Sequence, residues 1–276
     1  MEIPINNIVE EYREDDDIEL CSCEINEDLN NYTNKWIDMG NYWLLDSPQK
    51  SDIWKNARLK LLTASNIGYA IGLAPHFKKP EEIAEPIRKG LEKYTDNEHT
   101  RRGIEREPQN CHFYRVQKKC RVKHIGLCVP KWDTRIGGSV DGLPEFIIKK
   151  IINENNGAVV EYKRYEDSEG VVEYKSPEFM YTEIVNYVRS SNKPDNYEHI
   201  EITHRVQMMS NMRILKRKWT DYSVYVPDFN DIEEEPIEGF IQRYPYDQEE
   251  WNSIYDGINE FFDTWLPGYK SNIKFT

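Results

Sequence analysis

The sequence predicts an α/β fold in which a central mixed β-sheet is flanked by helices. Three observations predict it. Apolar residues recur at helical spacing between about 51 and 116, and again from 248 to 265. Between these stretches lie short runs rich in β-branched residues, bounded by turn-forming ones. The 276 residues suffice for one large domain whose core needs neither disulfides nor a structural metal. Residues 1–45 are acidic and weakly periodic and read as an N-terminal extension with one short helix at most; 46–276 read as a single domain.

Taken in order, residues 51–71 are expected to be helical in two pieces. Trp54, Leu59 and Leu62 supply the first buried stripe, and Thr63 or Ser65 caps the second piece through Ile67, Ala70 and Ile71. Residues 80–94 place Ile83, Ile87 and Leu91 near a 3.6-residue period. Residues 101–116 form a longer helix with Ile104, Cys111, Phe113 and Tyr114 as apolar positions. Pro108 belongs near its first turns, because a proline farther in removes a hydrogen bond. Strand-like runs follow at 120–122, 125–129, 136–140, 158–162 and 170–174. Turn formers separate them, among them Asn155-Asn156-Gly157 and Asp167-Ser168-Glu169-Gly170. Residues 181–218 read as mostly helical with a break near 192–195, and 223–226 as a strand. The stretch 248–265 is an amphipathic helix with Trp251, Ile254, Ile258, Phe261, Phe262 and Trp265 on its apolar side.

A net charge of −13 argues against a protein that coats nucleic acid generally. It leaves room for a local basic surface, since phosphate affinity follows local charge. The acidic excess sits largely in residues 10–17 and 233–235, whereas Lys118, Lys119, Arg121 and Lys123 cluster, as do Lys216, Arg217 and Lys218. Each basic cluster equally suits an ordinary solvated face. Five cysteines are present, and Cys21 and Cys23 are the only close pair, so zinc-type spacing is lacking and reduced thiols are expected. No apolar run approaches the roughly 18 residues that span a bilayer, and the N-terminus lacks a signal-peptide pattern. A soluble intracellular protein, in the cytoplasm or at a viral replication site, is the expectation.

Three acidic segments stand out: Ser139-Val140-Asp141-Gly142, Val171-Val172-Glu173-Tyr174-Lys175-Ser176-Pro177, and Gly103-Ile104-Glu105-Arg106-Glu107-Pro108. On a strand, residues two apart share a face, so Glu173 and Lys175 project together while Tyr174 points to the other side. Apolar Val171 and Val172 make this strand look buried, and a charged tip on a buried strand needs a reason. A hard divalent cation between Asp141 and Glu173 supplies one, with Lys175 beside an attacking water to orient it or take its proton. Alone, Glu-x-Lys fits an edge-strand ion pair as well.

In this order the segments resemble the lambda exonuclease and YqaJ-type viral recombinase family of the PD-(D/E)XK nuclease superfamily. The ordered motifs are Arg58 seven residues before the serine of Thr63-Ala64-Ser65; Gly103 with Glu107; Ser139-Val140-Asp141-Gly142; Glu173-Tyr174-Lys175-Ser176-Pro177; and Gln207 with Met212 on a helix. An aromatic strand at 219–227 and the helix at 248–265 complete the pattern, so the resemblance covers about 52–265. It implies a restriction-endonuclease-like core and a Mg2+-dependent deoxyribonuclease, with Mn2+ as a possible substitute, that hydrolyses double-stranded DNA from its ends, 5′ to 3′. It further implies metal ligands at Asp141, Glu173, Glu107 and the Tyr174 carbonyl, a nucleophile-handling Lys175, Gln207 as its support, and a grip on a DNA 5′-phosphate by Arg58 and Ser65. A single-strand annealing protein and a homotrimer around DNA are partners the family implies; no membrane is among them.

Two departures leave alternatives open. Val140 stands where the family has proline. The spacing from Asp141 to Glu173 is long, which points to an inserted strand or hairpin at about 146–165. That insertion contains a second Glu-Tyr-Lys, so Glu161 and Lys163 compete for the catalytic role, although Ser176-Pro177 favours Glu173 and Lys175. Glu105 competes with Glu107. A structure- or sequence-specific endonuclease, and a DNA-binding assembly protein without turnover, are the rival functions.

Overall fold

The computed structural model describes residues 32–91, 98–148, 151–153, 158–160, 164–177, 197–226 and 238–275. Along the chain run β1 (Trp36–Asp38), β2 (Tyr42–Leu45), α1 (Asp52–Arg58), β3 (Leu62–Thr63), α2 (Ala64–Ala70), α3 (Pro80–Lys89) and α4 (Glu98–Lys118). Then come β4 (Cys120–Lys123), β5 (Leu127–Pro130), β6 (Ile136–Gly137), β7 (Leu143–Ile148), β8 (Ile151–Asn153), β9 (Ala158–Val160), β10 (Arg164–Asp167) and β11 (Gly170–Lys175). Last are α5 (Ile202–Leu215), β12 (Trp219–Val226), β13 (Glu238–Pro245) and α6 (Gln248–Trp265).

The sheet that carries the chemistry is mixed. β11 lies parallel to β12, with Glu173 opposite Tyr222, and β12 is antiparallel to β13. A bridge between Gly142 and Val172 ties the entrance of β7 to β11. Beyond it, β7 pairs antiparallel with β4 on one side and β10 on the other. The pairs β7–β10 and β8–β9 form the long hairpin excursion expected from the Asp141–Glu173 spacing.

Alternation decides how β11 is buried. Val172 and Tyr174 pack against Cys111 and Tyr114 of α4, while Val171 belongs to the main core with Met208, Met209 and Met212 of α5. The strand is therefore sandwiched between two helices, and its apolar run has its physical explanation. At the back of the sheet, fully buried Asp221 accepts two bonds from Arg243, at 2.9 and 3.0 Å, and one from the Tyr114 hydroxyl at 2.9 Å, so it joins β12, β13 and α4. α2 crosses α5 at Gly68, where a Cβ would stand 3.1 Å from the Thr203 backbone, so the glycine lets the two helices approach closely.

Local chemistry explains the helix ends. The Ser51 hydroxyl accepts from the Trp54 amide to start α1, and the Asp247 carboxylate accepts from the Glu250 amide at 2.7 Å to start α6. Thr63 sits at the N-cap of α2 without a side-chain cap bond. α3 begins on Pro80 and stops at Gly90, which adopts φ 62°. Leu91 consequently lies beyond the helix and is exposed, contrary to its expected place in the apolar stripe. Pro108 also departs from expectation. It lies in the middle of the 21-residue α4, where packing of Cys111 and Tyr114 against β11 outweighs a local cost of about 3 kcal/mol.

Residues 36–45, read from the sequence as the end of the extension, form β1 and β2, and β2 pairs with β5. Leu45 is buried there beside Leu61, Leu127 and Val129. β13 carried no strand expectation, whereas β12 matches the aromatic strand that the resemblance placed at 219–227 and begins four residues before the run read at 223–226. The helix expected over 181–196 lies outside the described residues. Cys111, Cys120 and Cys128 are buried and form no disulfide. No described helix is long and apolar enough to cross a membrane.

Candidate active site

A cleft of about 340 Å³ opens where the loop after β6, the tip of β11, and helices α1, α2, α4 and α5 converge. β11 delivers two of its charges. Glu173 is buried, and its Oε1 accepts from Lys175 Nζ at 2.6 Å and from Gln207 Nε2 at 2.5 Å. Gln207 Oε1 lies 3.4 Å from the same ammonium. The amide of Gln207 thus bridges both charged groups of β11 from α5. Alternation along the strand turns the Tyr174 ring to the opposite side, against Cys111 and Tyr114, as expected.

Asp141 enters from the loop between β6 and β7. Its Oδ2 accepts the Tyr174 backbone N–H at 2.6 Å, and its carbonyl lies 2.9 Å from His124 Nδ1. The main chain of Tyr174 therefore touches the site through its amide. Burial, then the charges of Glu173 and Glu107, hold the Asp141 carboxyl well above the ordinary carboxylate range. For Lys175 burial acts downward, but the Glu173 and Asp141 charges and the hydrogen bond to Glu173 outweigh it, so the amine stays above its usual value and is an ammonium. His204, one helical turn before Gln207, is pushed well below its usual value by burial and by the charge of Lys175. It meets the Tyr222 hydroxyl at 3.1 Å as a neutral ring.

Glu107 lines the cleft from α4, whereas Glu105 is exposed and does not. Lys50 Nζ holds Glu107 Oε2 at 2.6 Å. On the far wall, Arg58 Nη2 lies 3.4 Å from Ser65 Oγ, and its guanidinium stacks 4.3 Å from the Trp54 ring. Trp54 in turn donates to Ser139 Oγ at 2.9 Å. All of Asp141, Glu173, Glu107, Lys175, Gln207, Arg58 and Ser65 therefore line one cleft. Glu161 and Lys163 lie outside the described residues.

The expected three-carboxylate metal cage is not closed. Among the described residues, no three His, Cys, Asp or Glu side chains stand together as a ready-made cage. The reason is visible in the hydrogen bonds: Glu173 is engaged by Lys175 and Gln207, and Glu107 by Lys50. The donor set still suits a hard divalent ion. It consists of oxygen ligands, and Asp141 feels two neighbouring carboxylates whose repulsion a cation would relieve.

Sequence reasoning missed several supporting residues. Asn110 on α4 is fully buried and donates to the Lys175 carbonyl at 3.1 Å and the Ser223 carbonyl at 3.0 Å, while accepting from Ser223 Oγ at 2.6 Å. Gln49 donates to the carbonyls of Ile125 and Val140, at 2.9 and 2.8 Å, and so steadies the segment that precedes Asp141. An asparagine one residue before buried Cys111 was a readable signal; Gln49 and Lys50 gave none.

Comparisons with known proteins identify the family and the fold. The YqaJ-like viral recombinase domain matches residues 53–223, more than half of the chain. The crystal structure of an alkaline exonuclease, LHK-Exo from Laribacter hongkongensis, is similar with a TM-score of 0.55 and 20% identity, over 77% of this chain and 91% of that one. LHK-Exo in complex with dAMP gives a TM-score of 0.55 and 21% identity over the same shares. A phage-related exonuclease from Haemophilus somnus 129PT is more distant, with a TM-score of 0.47 and 13% identity over 74% of this chain and 93% of that one. No curated protein sequence matches the chain. The helix-flanked mixed sheet is the PD-(D/E)XK-like fold, and the chain belongs to the YqaJ-like viral recombinase family.

Proposed function

We propose that the chain is a metal-dependent deoxyribonuclease that digests double-stranded DNA from its ends, 5′ to 3′. The observation that carries the reading is the convergence, in one cleft, of Asp141, Glu173, Lys175 and Gln207 with the Arg58–Ser65 pair on the facing wall. The first group suits phosphodiester hydrolysis; the second suits a terminal phosphate. The dAMP bound to LHK-Exo is that protein's ligand, and a nucleotide ligand in a protein of similar fold supports the reading.

Asp141, Glu173 and Glu107 would hold Mg2+, or Mn2+ in its place, with the Tyr174 carbonyl as a further candidate ligand. Bound there, a divalent ion lowers the pKa of a water and offsets charge on the phosphate. The chain's own residues do the rest. Lys175, kept as an ammonium, orients the attacking water and faces the charge that builds on the phosphoryl oxygens. Gln207 fixes the directions of Lys175 and Glu173. Water attacks phosphorus in line, the 3′ oxygen leaves, and the product carries a 5′-phosphate. Arg58, flat against Trp54, presents its guanidinium to the end phosphate, where bidentate contacts count most. Contacts of this kind are to the backbone, so cutting depends little on base sequence. The resulting single strand would pass to an annealing protein, and a homotrimer would encircle the duplex.

The test is linear duplex DNA with Mg2+, against EDTA and Lys175→Ala controls and a closed circular substrate. The reading expects nucleotide release from linear DNA alone, abolished by EDTA and lowered at least about 100-fold by the substitution. Release that ignores EDTA sinks the metal-dependent reading. Equal cutting of circular DNA replaces the exonuclease with an endonuclease.

A further inference from the structure

Lys50 belongs to no motif, yet it reaches a carboxylate that lines the cleft. Its ammonium lies 2.6 Å from Glu107 Oε2, a partner 57 residues away. The backbone at Lys50 is left-handed, φ 69°, a conformation that side chains other than glycine and asparagine rarely adopt. Both neighbours hold it there. Gln49 is bonded to the Ile125 and Val140 carbonyls, and Ser51 caps α1 while meeting Ser47 Oγ at 2.8 Å. A strained residue pinned on both sides and aimed at a carboxylate in a cleft is the pattern expected of a working group.

Charge explains what the aim accomplishes. Asp141, Glu173 and Glu107 face Lys175 and Lys50, and Lys175 already serves Glu173. Lys50 offsets the remaining charge on Glu107. The pair is also made to part. Its members are 46% and 29% exposed, so the bond is a weak one. Lysine offers a mobile point charge where arginine would lock the carboxylate in a fork.

We propose that Lys50 is a built-in counter-cation that occupies Glu107 in the metal-free chain and yields that carboxylate when a divalent ion binds. The inference rests on the metal site proposed above. Lys50 is a positioning residue: it sets where Glu107 points and how readily the site loads.

The experiment is calorimetric titration of Mn2+ into the full chain without DNA, for wild type, Lys50→Gly, Lys50→Asn, Lys50→Arg and Asp141→Asn. Glycine and asparagine both tolerate φ 69°, so either variant keeps the loop. The expected result is Mn2+ affinity about threefold to tenfold tighter in Lys50→Gly and Lys50→Asn, and weaker than wild type in Lys50→Arg, whose fork holds Glu107 more firmly. Wild-type affinity in both neutral variants overturns the proposal while leaving the metal site standing. Failure of wild type to bind Mn2+, or unchanged binding in Asp141→Asn, overturns the metal site and this inference with it.

Discussion

Gln207 donates its side-chain amide to Glu173 at 2.5 Å across a sequence separation of 34 residues, and the other end of the same amide faces Lys175 at 3.4 Å. One neutral group therefore ties the carboxylate and the ammonium of β11 together. Gln207→Leu removes both contacts and leaves the Glu173–Lys175 pair. It should lower kcat about 10- to 100-fold on linear duplex DNA with a smaller change in KM. Steady-state kinetics beside a melting curve check it; an equal loss of stability and activity would make Gln207 merely structural.

Under the proposed function Arg58 and Ser65 make a different prediction, because the pair, joined at 3.4 Å, would grip the DNA end and take no part in the hydrolytic step. Arg58→Ala should reduce digestion of 5′-phosphorylated duplex about 10- to 100-fold, the worth of charge-assisted bonds to an anion. Digestion of 5′-hydroxyl duplex should change little. Paired time courses on the two substrates decide the matter.

Gly142 follows Asp141 at the bridge to Val172. A Cβ there would stand 2.1 Å from Val122 Cγ1 and 3.2 Å from Val172 Cγ1, both buried side chains. Gly142→Ala should cost about 1–3 kcal/mol in urea unfolding. Because the strain is adjacent to Asp141, activity at a temperature where the variant is folded should fall as well.

Asp221 tests the back of the sheet. It is fully buried, clamped by Arg243 and Tyr114, and lines no part of the cleft. In Asp221→Asn an amide N–H₂ must confront the guanidinium donors. Stability should drop by about 1–3 kcal/mol. Activity per folded molecule should stay near wild type, as urea denaturation and kinetics would show.

The buried thiols should be inert. Burial, then the charge of Asp221, pushes Cys120 up to about 12, so almost no thiolate exists at pH 8. Iodoacetamide labelling read by mass spectrometry should leave Cys120 and Cys128 unmodified in the native chain and modify them in urea. Fast native labelling of Cys120 would contradict its burial at the start of β4 against α4.

How much was legible depended on the range of the interaction. The α6 helix was readable to its bounds, since its apolar positions and its Asp247 cap act within a few residues. The same is true of the shared face of Glu173 and Lys175, which follows from strand alternation. The acidic segments holding Asp141 and Glu107 stood out by themselves, whereas the roles of Glu107, Gln207, Arg58 and Ser65 came from the resemblance. β2 escaped because its pairing with β5 is decided by a partner far along the chain, and β1 and β13, which pair with the neighbouring strands β2 and β12, gave no readable strand signal.

By itself, then, the sequence determined the helix periods, the caps and the set of chemical groups, all of them properties of neighbouring residues. Only the tertiary structure decided which groups meet. It turned Glu107 to Lys50, set Asn110 under the Lys175 carbonyl, and kept Pro108 inside α4. Packing and long-range charge act through space, and their energies outweigh the local preferences that a sequence displays.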